Sequence, residues 1–500
     1  MGEATIPAGM NENLYALLAS RFAGAASSVC LELEDGRRFT YAEVEAESAR
    51  FANLLASLGL KRGDRVAVQV EKSAEAIFLY LGCLRAGFVY LPLNTAYQVA
   101  EISHFVHDAE PAAAFCRPES RASFSGVAHT LSLGDARSQS TSFSTVTSAA
   151  SDLACIVYTS GTTGRAKGAM LTHRNLSSNA LALHAYWQFR PNDVLLHALP
   201  IFHVHGLFVA LHTALLNASR ILLLPRFDAG PVMRLLPRST VFMGVPTYYV
   251  RLLGEPEFDA DMCSGMRLFV SGSAPLAADT LREFHARTGH TILERYGMTE
   301  TGMNTSNPYE GERRPGTVGF PLPGIEVRVA GPGDAPVGAG GIGQIQVKGP
   351  NVMPGYWRLP ERNKEEFTAD GFFRTGDLGR FDEDGYLSIV GREKDLVISG
   401  GYNIYPKEIE MVLDELPGVA ESAAFGVPHA DFGEALMVAV VPRPGAQLSE
   451  QQVIGHVKGK LANFKVPKRV VFLQELPRNT MGKVLKNELR AAHGGAKPAA

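Results

Sequence analysis

The segment Arg65-Val66-Ala67-Val68-Gln69-Val70, a helical period from Ala74 to Ala86 and a second strand-like run at 88–91 follow one another with almost no connecting chain. A strand, a helix and a strand in that order produce a parallel sheet, so the first third of the chain reads as α/β. Just ahead, Thr40-Tyr41-Ala42-Glu43 has capping-box spacing and opens a helix striped by Val44, Phe51, Leu55 and Leu58 that stops at Gly59. Residues 138–151, rich in Ser and Thr and without a period, form a surface loop or linker before the apolar run 153–158.

Strand-like runs continue at 194–199, 221–224, 241–244, 267–270 and 325–329, each followed by Pro, Gly or a helical period; an apolar helix is expected at 207–216. A Gly/Pro turn region at 331–343 leads into a strand-rich stretch up to Val390. After Gly391-Arg392-Glu393-Lys394-Asp395 the texture changes to short helices and strands at 408–413, 419–425, 436–441, 451–461 and 469–473, an α+β unit of normal domain size. The expected architecture is α/β: a large multi-sheet N-terminal domain, 1–393, and a smaller α+β domain, 394–500, with the boundary near Lys394. Residues 494–500 read as a frayed tail.

Lys plus Arg is 48 against 51 for Asp plus Glu, so no global field attracts nucleic acid or an acidic membrane, and any anion site must be local. Five scattered cysteines, with no Cys-x-x-Cys pair, fit neither a disulfide framework nor a zinc site and point to a reducing cytoplasm. No targeting segment or apolar run of about 18–20 residues is present, so a membrane is not an expected partner.

Thr159-Ser160-Gly161-Thr162-Thr163-Gly164-Arg165-Ala166-Lys167-Gly168 directly follows the run 153–158. Its glycines let backbone N–H groups converge on an anion, four hydroxyls add donors and Lys167 adds charge, which suits a polyphosphate better than a merely flexible Ser/Gly loop. Gly168 stands where the P-loop of ordinary ATPases has Ser or Thr, so a different nucleotide chemistry is implied. His203-Val204-His205-Gly206 contains a His-x-His, but no further ligands cluster beside it in sequence, and metal binding is the weaker reading. Ser273 is rejected as a nucleophile because no Gly-x-Ser-x-Gly surrounds it.

The loop at 159–168, Tyr296-Gly297-Met298-Thr299-Glu300, Thr375-Gly376-Asp377, Gly391-Arg392-Glu393-Lys394-Asp395 and Pro477-Arg478-Asn479-Thr480-Met481-Gly482-Lys483, in this order, resemble the adenylate-forming acyl-CoA synthetase superfamily from about Asn13 to Arg490. The resemblance implies a large domain with a mobile lid. It also implies activation of a carboxylate with ATP, release of pyrophosphate, and transfer of the acyl group from AMP to the thiol of CoA. A carboxylate attacking the α-phosphorus is one anion approaching another, so the site must neutralise charge and hold its reactants in line. Glu300, beside Thr299, is placed to hold Mg²⁺ on the phosphates. Asp377 can accept ribose hydroxyls, and Arg392 can reach the sugar or the phosphate.

By the same resemblance, Ser273, Ala274 and Pro275 line the adenine, Tyr296 packs against the purine, and Glu294 and Gly297 belong to the nucleotide site. Lys483 bridges the carboxylate and the α-phosphate, Lys394 is the hinge, and Gly400, Gly401 and Tyr402 face the adenylate after the lid has swung to admit CoA. His203 lines the carboxylate pocket and gates the access of CoA.

Within the superfamily, the stretches around Arg251, His203, Ser273 and Tyr296 are similar to malonyl-CoA synthetases, which implies malonate as the acid. Arg251 would then hold the distal carboxylate, with Val204, His205 and Met303 as walls; as a lone Arg on a helix it would instead snorkel to the surface. Relatives often carry Thr where Val204 stands, which leaves methylmalonate open as a second substrate. A synthetase for another short acid, an enzyme loading a carrier-protein thiol and a non-catalytic nucleotide sensor are the alternatives.

Overall fold

The computed structural model describes residues 11–159, 166–399, 402–429, 432–479 and 482–494. The expected crossover unit is present: Arg65–Gln69 pairs in parallel with both Val89–Pro92 and Ala113–Cys116. The connecting helix Ala74–Ala86 is buried along almost its whole length. Ser73 caps its start by accepting the Ala76 N–H, and Gly87, in the left-handed region, ends it. The six-stranded sheet runs His129–Leu131, Ala113–Cys116, Arg65–Gln69, Val89–Pro92, Leu153–Thr159 and Lys167–Thr172. Its last two strands are antiparallel and form the arms of the phosphate-loop hairpin, with Thr159 opposite Lys167. The capping box at Thr40 also forms, with both reciprocal hydrogen bonds, at the head of Tyr41–Ser57.

A nine-stranded sheet has at its centre the strands Leu293–Met298, Leu268–Ser271, Val241–Gly244, Val194–His197 and Arg220–Leu223, in that order and all parallel. Parallel neighbours end on one edge. The loops that leave them (200–205, 272–277 and 299–301) therefore crowd together, the usual place for a ligand in an open α/β sheet. The expected helix at 207–216 is different in kind: a π-turn over His205–Ala210 precedes the α-helix Leu211–Leu216. Its cause is local, because a side chain at residue 206 would overlap the Pro200 carbonyl and the Gly206 carbonyl takes the Leu211 N–H five residues on.

A four-stranded antiparallel sheet follows, with Phe373–Phe381 and Leu387–Arg392 along one side. The remaining sheet uses only strands from Val397–Ser399 onward, and its two apolar cores draw on no residue before Val397. Helices Pro406–Asp414, Glu450–Lys458 and Lys486–His493 belong to this unit. No helix among the described residues is long and apolar enough to cross a membrane.

All five cysteines are buried free thiols. Burial pushes the Cys30 and Cys263 thiols up to about 12 and holds Cys83, Cys116 and Cys155 above their ordinary value, so the reactive thiolate is suppressed. A thiol-titrating disulfide reagent is expected to label none of them in the native protein and all five after unfolding in denaturant. Fast labelling of the native protein would contradict this packing.

Candidate active site

Glu300 lies in the tight turn joining Leu293–Met298 to the antiparallel strand Gly302–Ser306. Its side chain is buried and accepts hydrogen bonds from the Tyr356 hydroxyl at 2.9 Å and the Thr159 hydroxyl at 3.4 Å. Burial raises its pKa, against the pull of the Tyr356 hydrogen bond and the Lys167 charge. Lys167 sits at the other arm of the phosphate hairpin, its ammonium 4.0 Å from the centre of the Tyr356 ring and 3.3 Å from Glu366. A carboxylate thus stands at Thr159 and an ammonium at Lys167; the loop between them, with Ser160, Gly161, Thr162, Thr163 and Gly164, lies outside the described residues. Among the described residues no three His, Cys, Asp or Glu cluster to cage a metal. Glu300 alone suits a magnesium ion whose other ligands are phosphate oxygens and water.

Asp377 and Arg392 face each other across the strands Phe373–Phe381 and Leu387–Arg392. The Asp377 carboxylate pairs with Arg392 at 3.1 Å and accepts the Tyr296 hydroxyl at 2.6 Å, which leaves lone pairs for a diol. Lys483 reaches this corner from the last sheet's unit, close enough to Arg392, Asp377, Lys394 and Asp395 to feel all four charges. Burial first, and then the neighbouring Arg392, lowers its pKa to about 7. Gly482 beside it packs on Thr247, in the first turn of the helix Pro246–Leu253. Lys394 lies in the exposed turn Glu393–Asp395 between the two units. Tyr402 is 56 % exposed and stacks on Phe464, away from this corner, while Gly400 and Gly401 lie outside the described residues.

The residues expected at the acyl end come from the loops at 200–205 and 272–277. His203 Nδ1 accepts the His205 N–H at 3.3 Å, which places the proton of a neutral His203 ring on Nε2. Ser273 holds a left-handed backbone, φ +70°, and its hydroxyl lies 3.2 Å from His205 Nδ1. Val204 and Met303 are buried beside them, and Asn179 clamps the Met303 backbone with hydrogen bonds to its N–H at 3.0 Å and its carbonyl at 2.9 Å. Ala274 and Pro275 continue the loop, which buried Glu294 ties down by accepting the Leu276 N–H at 3.0 Å. Gly297 and Thr299 complete the strand end that carries Glu300.

Arg251 corrects one expectation. It is exposed, with Val250, on the outer face of Pro246–Leu253, whose inner face carries buried Tyr249, Leu252 and Leu253. Arg251 is therefore not a buried guanidinium in this structure. Arg295 does so instead. It is 3 % exposed, and its Nε and Nη2 have no hydrogen-bond partner among the described residues. It lies directly over Gly272, where any side chain would overlap the guanidinium.

Burial lowers the Arg295 pKa to about 9, and the Arg295 charge adds to burial in depressing His203 to about 4 and His205 further still. Two neutral imidazoles and one cation with open donors therefore share the acyl end, and buried His205 Nε2 and Ser271 Oγ are likewise unpartnered among the described residues. The signal was present in sequence: a charged residue inside the strand Leu-Glu-Arg-Tyr-Gly, where an unpaired Arg is costly. Tyr356 and Glu366, partners of Glu300 and Lys167, carried no such signal.

The family model for AMP-binding enzymes matches residues 19–357, and the model for the AMP-binding enzyme C-terminal domain matches 408–483. ATP-bound MatB from Rhodopseudomonas palustris superposes with a TM-score of 0.95 at 53 % identity, over 97 % of this chain and 99 % of that one. A malonate–CoA ligase from Arabidopsis thaliana is 35 % identical over 91 % of this chain and 85 % of its own length. A feruloyl-CoA synthase from an Amycolatopsis species is also 35 % identical, over 92 % of this chain and 95 % of its own, so overall identity does not select the acid and the pocket must. On the strength of these matches and of the site they span, the chain belongs to the AMP-binding enzyme family.

Proposed function

We propose that the protein is an ATP-dependent malonyl-CoA synthetase: malonate and ATP give malonyl-AMP and pyrophosphate, and CoA then takes the malonyl group with release of AMP. The single observation that carries the choice of acid is the buried Arg295 guanidinium, with two open donor positions at the acyl end. A guanidinium so placed binds a second carboxylate in a fork and disfavours any acid that leaves it unpaired.

In the first step one malonate oxygen bonds to the α-phosphorus as the bond to the pyrophosphate oxygen breaks. Neutral His203 donates from Nε2 to the reacting carboxylate, Arg295 holds the far one, and Val204, His205 and Met303 limit the chain length. Asp377 and Tyr296 hold the nucleoside, with Ser273, Ala274 and Pro275 along the base. Lys167 and the phosphate loop take the pyrophosphate end, and Lys483 meets the charge growing between carboxylate and α-phosphate. Glu300 would hold Mg²⁺, which supplies charge neutralisation at the phosphates when bound. In the second step the CoA sulfur bonds to the acyl carbon and the bond to AMP breaks. Lys483 must first leave, so residues 394–500 turn about Lys394 and bring Gly400, Gly401 and Tyr402 to the adenylate.

An acid panel with ATP, Mg²⁺ and CoA tests the substrate: malonate is expected to outrun acetate, octanoate and benzoate. Arg295→Gln should lower kcat/KM for malonate by perhaps ~10⁴-fold, because an unpaired polar site discriminates on that scale. Arg251→Ala should leave it within a few-fold of the parent; the reverse ranking of the two variants would sink the assignment.

Lys483 gives a pH signature. With a pKa near 7 in the free enzyme, the ammonium that the first step needs is lost as pH rises through that value, so kcat/KM for adenylation should fall above about pH 7. Lys483→Arg, charged throughout, should be slower but flat across the same window in a pyrophosphate-exchange assay. A rate that climbs from pH 7 to 9 in the parent, or an unchanged fall in the arginine variant, refutes the role. Lys483→Ala should abolish adenylation yet spare thioester formation from supplied malonyl-AMP; equal loss of both refutes the swing.

A further inference from the structure

Behind the acyl end lies a hydrogen-bonded relay that touches none of the reacting atoms. Lys72 stands between the strand Arg65–Gln69 and the cap of the helix Ala74–Ala86, so the six-stranded sheet carries it. Its ammonium crosses to the nine-stranded sheet and donates to both Nδ1 and the carbonyl oxygen of His197, each at 2.8 Å. His197 ends the strand Val194–His197, is 1 % exposed, and lies with Nε2 2.9 Å from the Gly206 carbonyl. A carbonyl only accepts, so Nε2 carries the proton and Nδ1 receives from Lys72; the tautomer is fixed from both sides.

The Gly206 carbonyl is also the acceptor of the Leu211 N–H, the bond that gives the segment its π character. A π-turn is disfavoured against the α-helical register and persists where surrounding contacts enforce it. Here the enforcing contacts are the His197 imidazole and the close approach of residue 206 to Pro200. His205 opens that turn, so the register decides where its ring stands against Ser273 and Arg295.

We propose that Lys72 and His197 are positioning residues for the acid substrate: by fixing the Gly206 carbonyl they hold the π-turn and set His205 beside the Arg295 site. This rests on the malonate reading. Lys72 also lines a cavity of about 230 Å³ with Pro200, Ile201 and Phe202, so shortening its reach there removes hydrogen bonds without emptying a sealed core.

The test is steady-state kinetics with malonate and ATP varied separately in Lys72→Met, His197→Leu, His197→Gln and the Lys72→Met/His197→Leu pair. Lys72→Met and His197→Leu should each raise KM for malonate roughly tenfold, the scale of a lost buried hydrogen bond, with KM for ATP unchanged. His197→Gln, whose amide can still donate to Gly206, should recover most of the loss, and the pair should be no worse than His197→Leu alone. Should His197→Leu fail to fold, Lys72→Met and His197→Gln still decide the question by the split between the two KM values. A malonate KM unchanged in Lys72→Met, a parallel rise in both KM values, or no recovery in His197→Gln would overturn the relay. A parent enzyme that ignores malonate would instead overturn the reading beneath it.

Discussion

A guanidinium held out of water with open donors is the constraint around which the acyl end is organised. Taking such a charge from solvent costs several kcal/mol unless something pairs with it. Arg295 has no carboxylate partner among the described residues: Glu294, its neighbour in the strand, accepts the Leu276 backbone N–H. A bare Cα at Gly272 gives the guanidinium its space, and the two histidines beside it are held neutral. Every adjacent group therefore either makes room for the charge or declines to compete with a ligand for it. An unpaired buried cation is costly until an anion meets it, which sets Arg295 apart from a structural ion pair such as Arg267 with Asp193.

The phosphate and ribose corners follow the opposite design. Glu300 is satisfied by hydroxyls, Lys167 by Glu366 and an aromatic face, and Asp377 by Arg392 and Tyr296. These charges are paired before any nucleotide arrives, so they are positioned at little cost and exchange partners as the substrate's own charges come in. The discriminating group is left open and the general ones are closed, which matches a family that shares a nucleotide and differs in its acid.

Much of this was legible in the chain itself. The crossover unit and the Thr40 cap rest on local periods and capping chemistry, and each stands where its residues put it. The residues expected at the nucleotide were read from motifs whose family resemblance implies the role, apart from the loop at 159–168, whose glycines and hydroxyls suit a polyphosphate by themselves. The burial expected of Arg251 was misjudged because neighbouring sequence says nothing about which side of a helix is covered, and that side is set by packing: Tyr249, Leu252 and Leu253 take the inner face. Arg295 was overlooked since a charged residue in a strand is ambiguous until its partners are known. The π-turn was read as an ordinary helix because its cause, the Gly206 approach to Pro200 and the His197 bond, is a set of contacts made by the folded chain that no residue preference announces.

Lys483 and Tyr402 belong to one rigid sheet unit, yet only the first stands at the ribose corner; the second is exposed and stacked on Phe464. Both cannot occupy the cleft together. A lysine whose charge is depressed by burial first, and then by Arg392 and Lys394, is also one whose charged form is weakly held there until phosphate oxygens offset those cations. On the proposed reaction, loss of pyrophosphate would remove much of that negative charge, so the same electrostatics that favours Lys483 at the site before the first step would loosen it afterwards. The proposed swing would then need no separate switch: the consumption of ATP charge at the site would be enough to bias it.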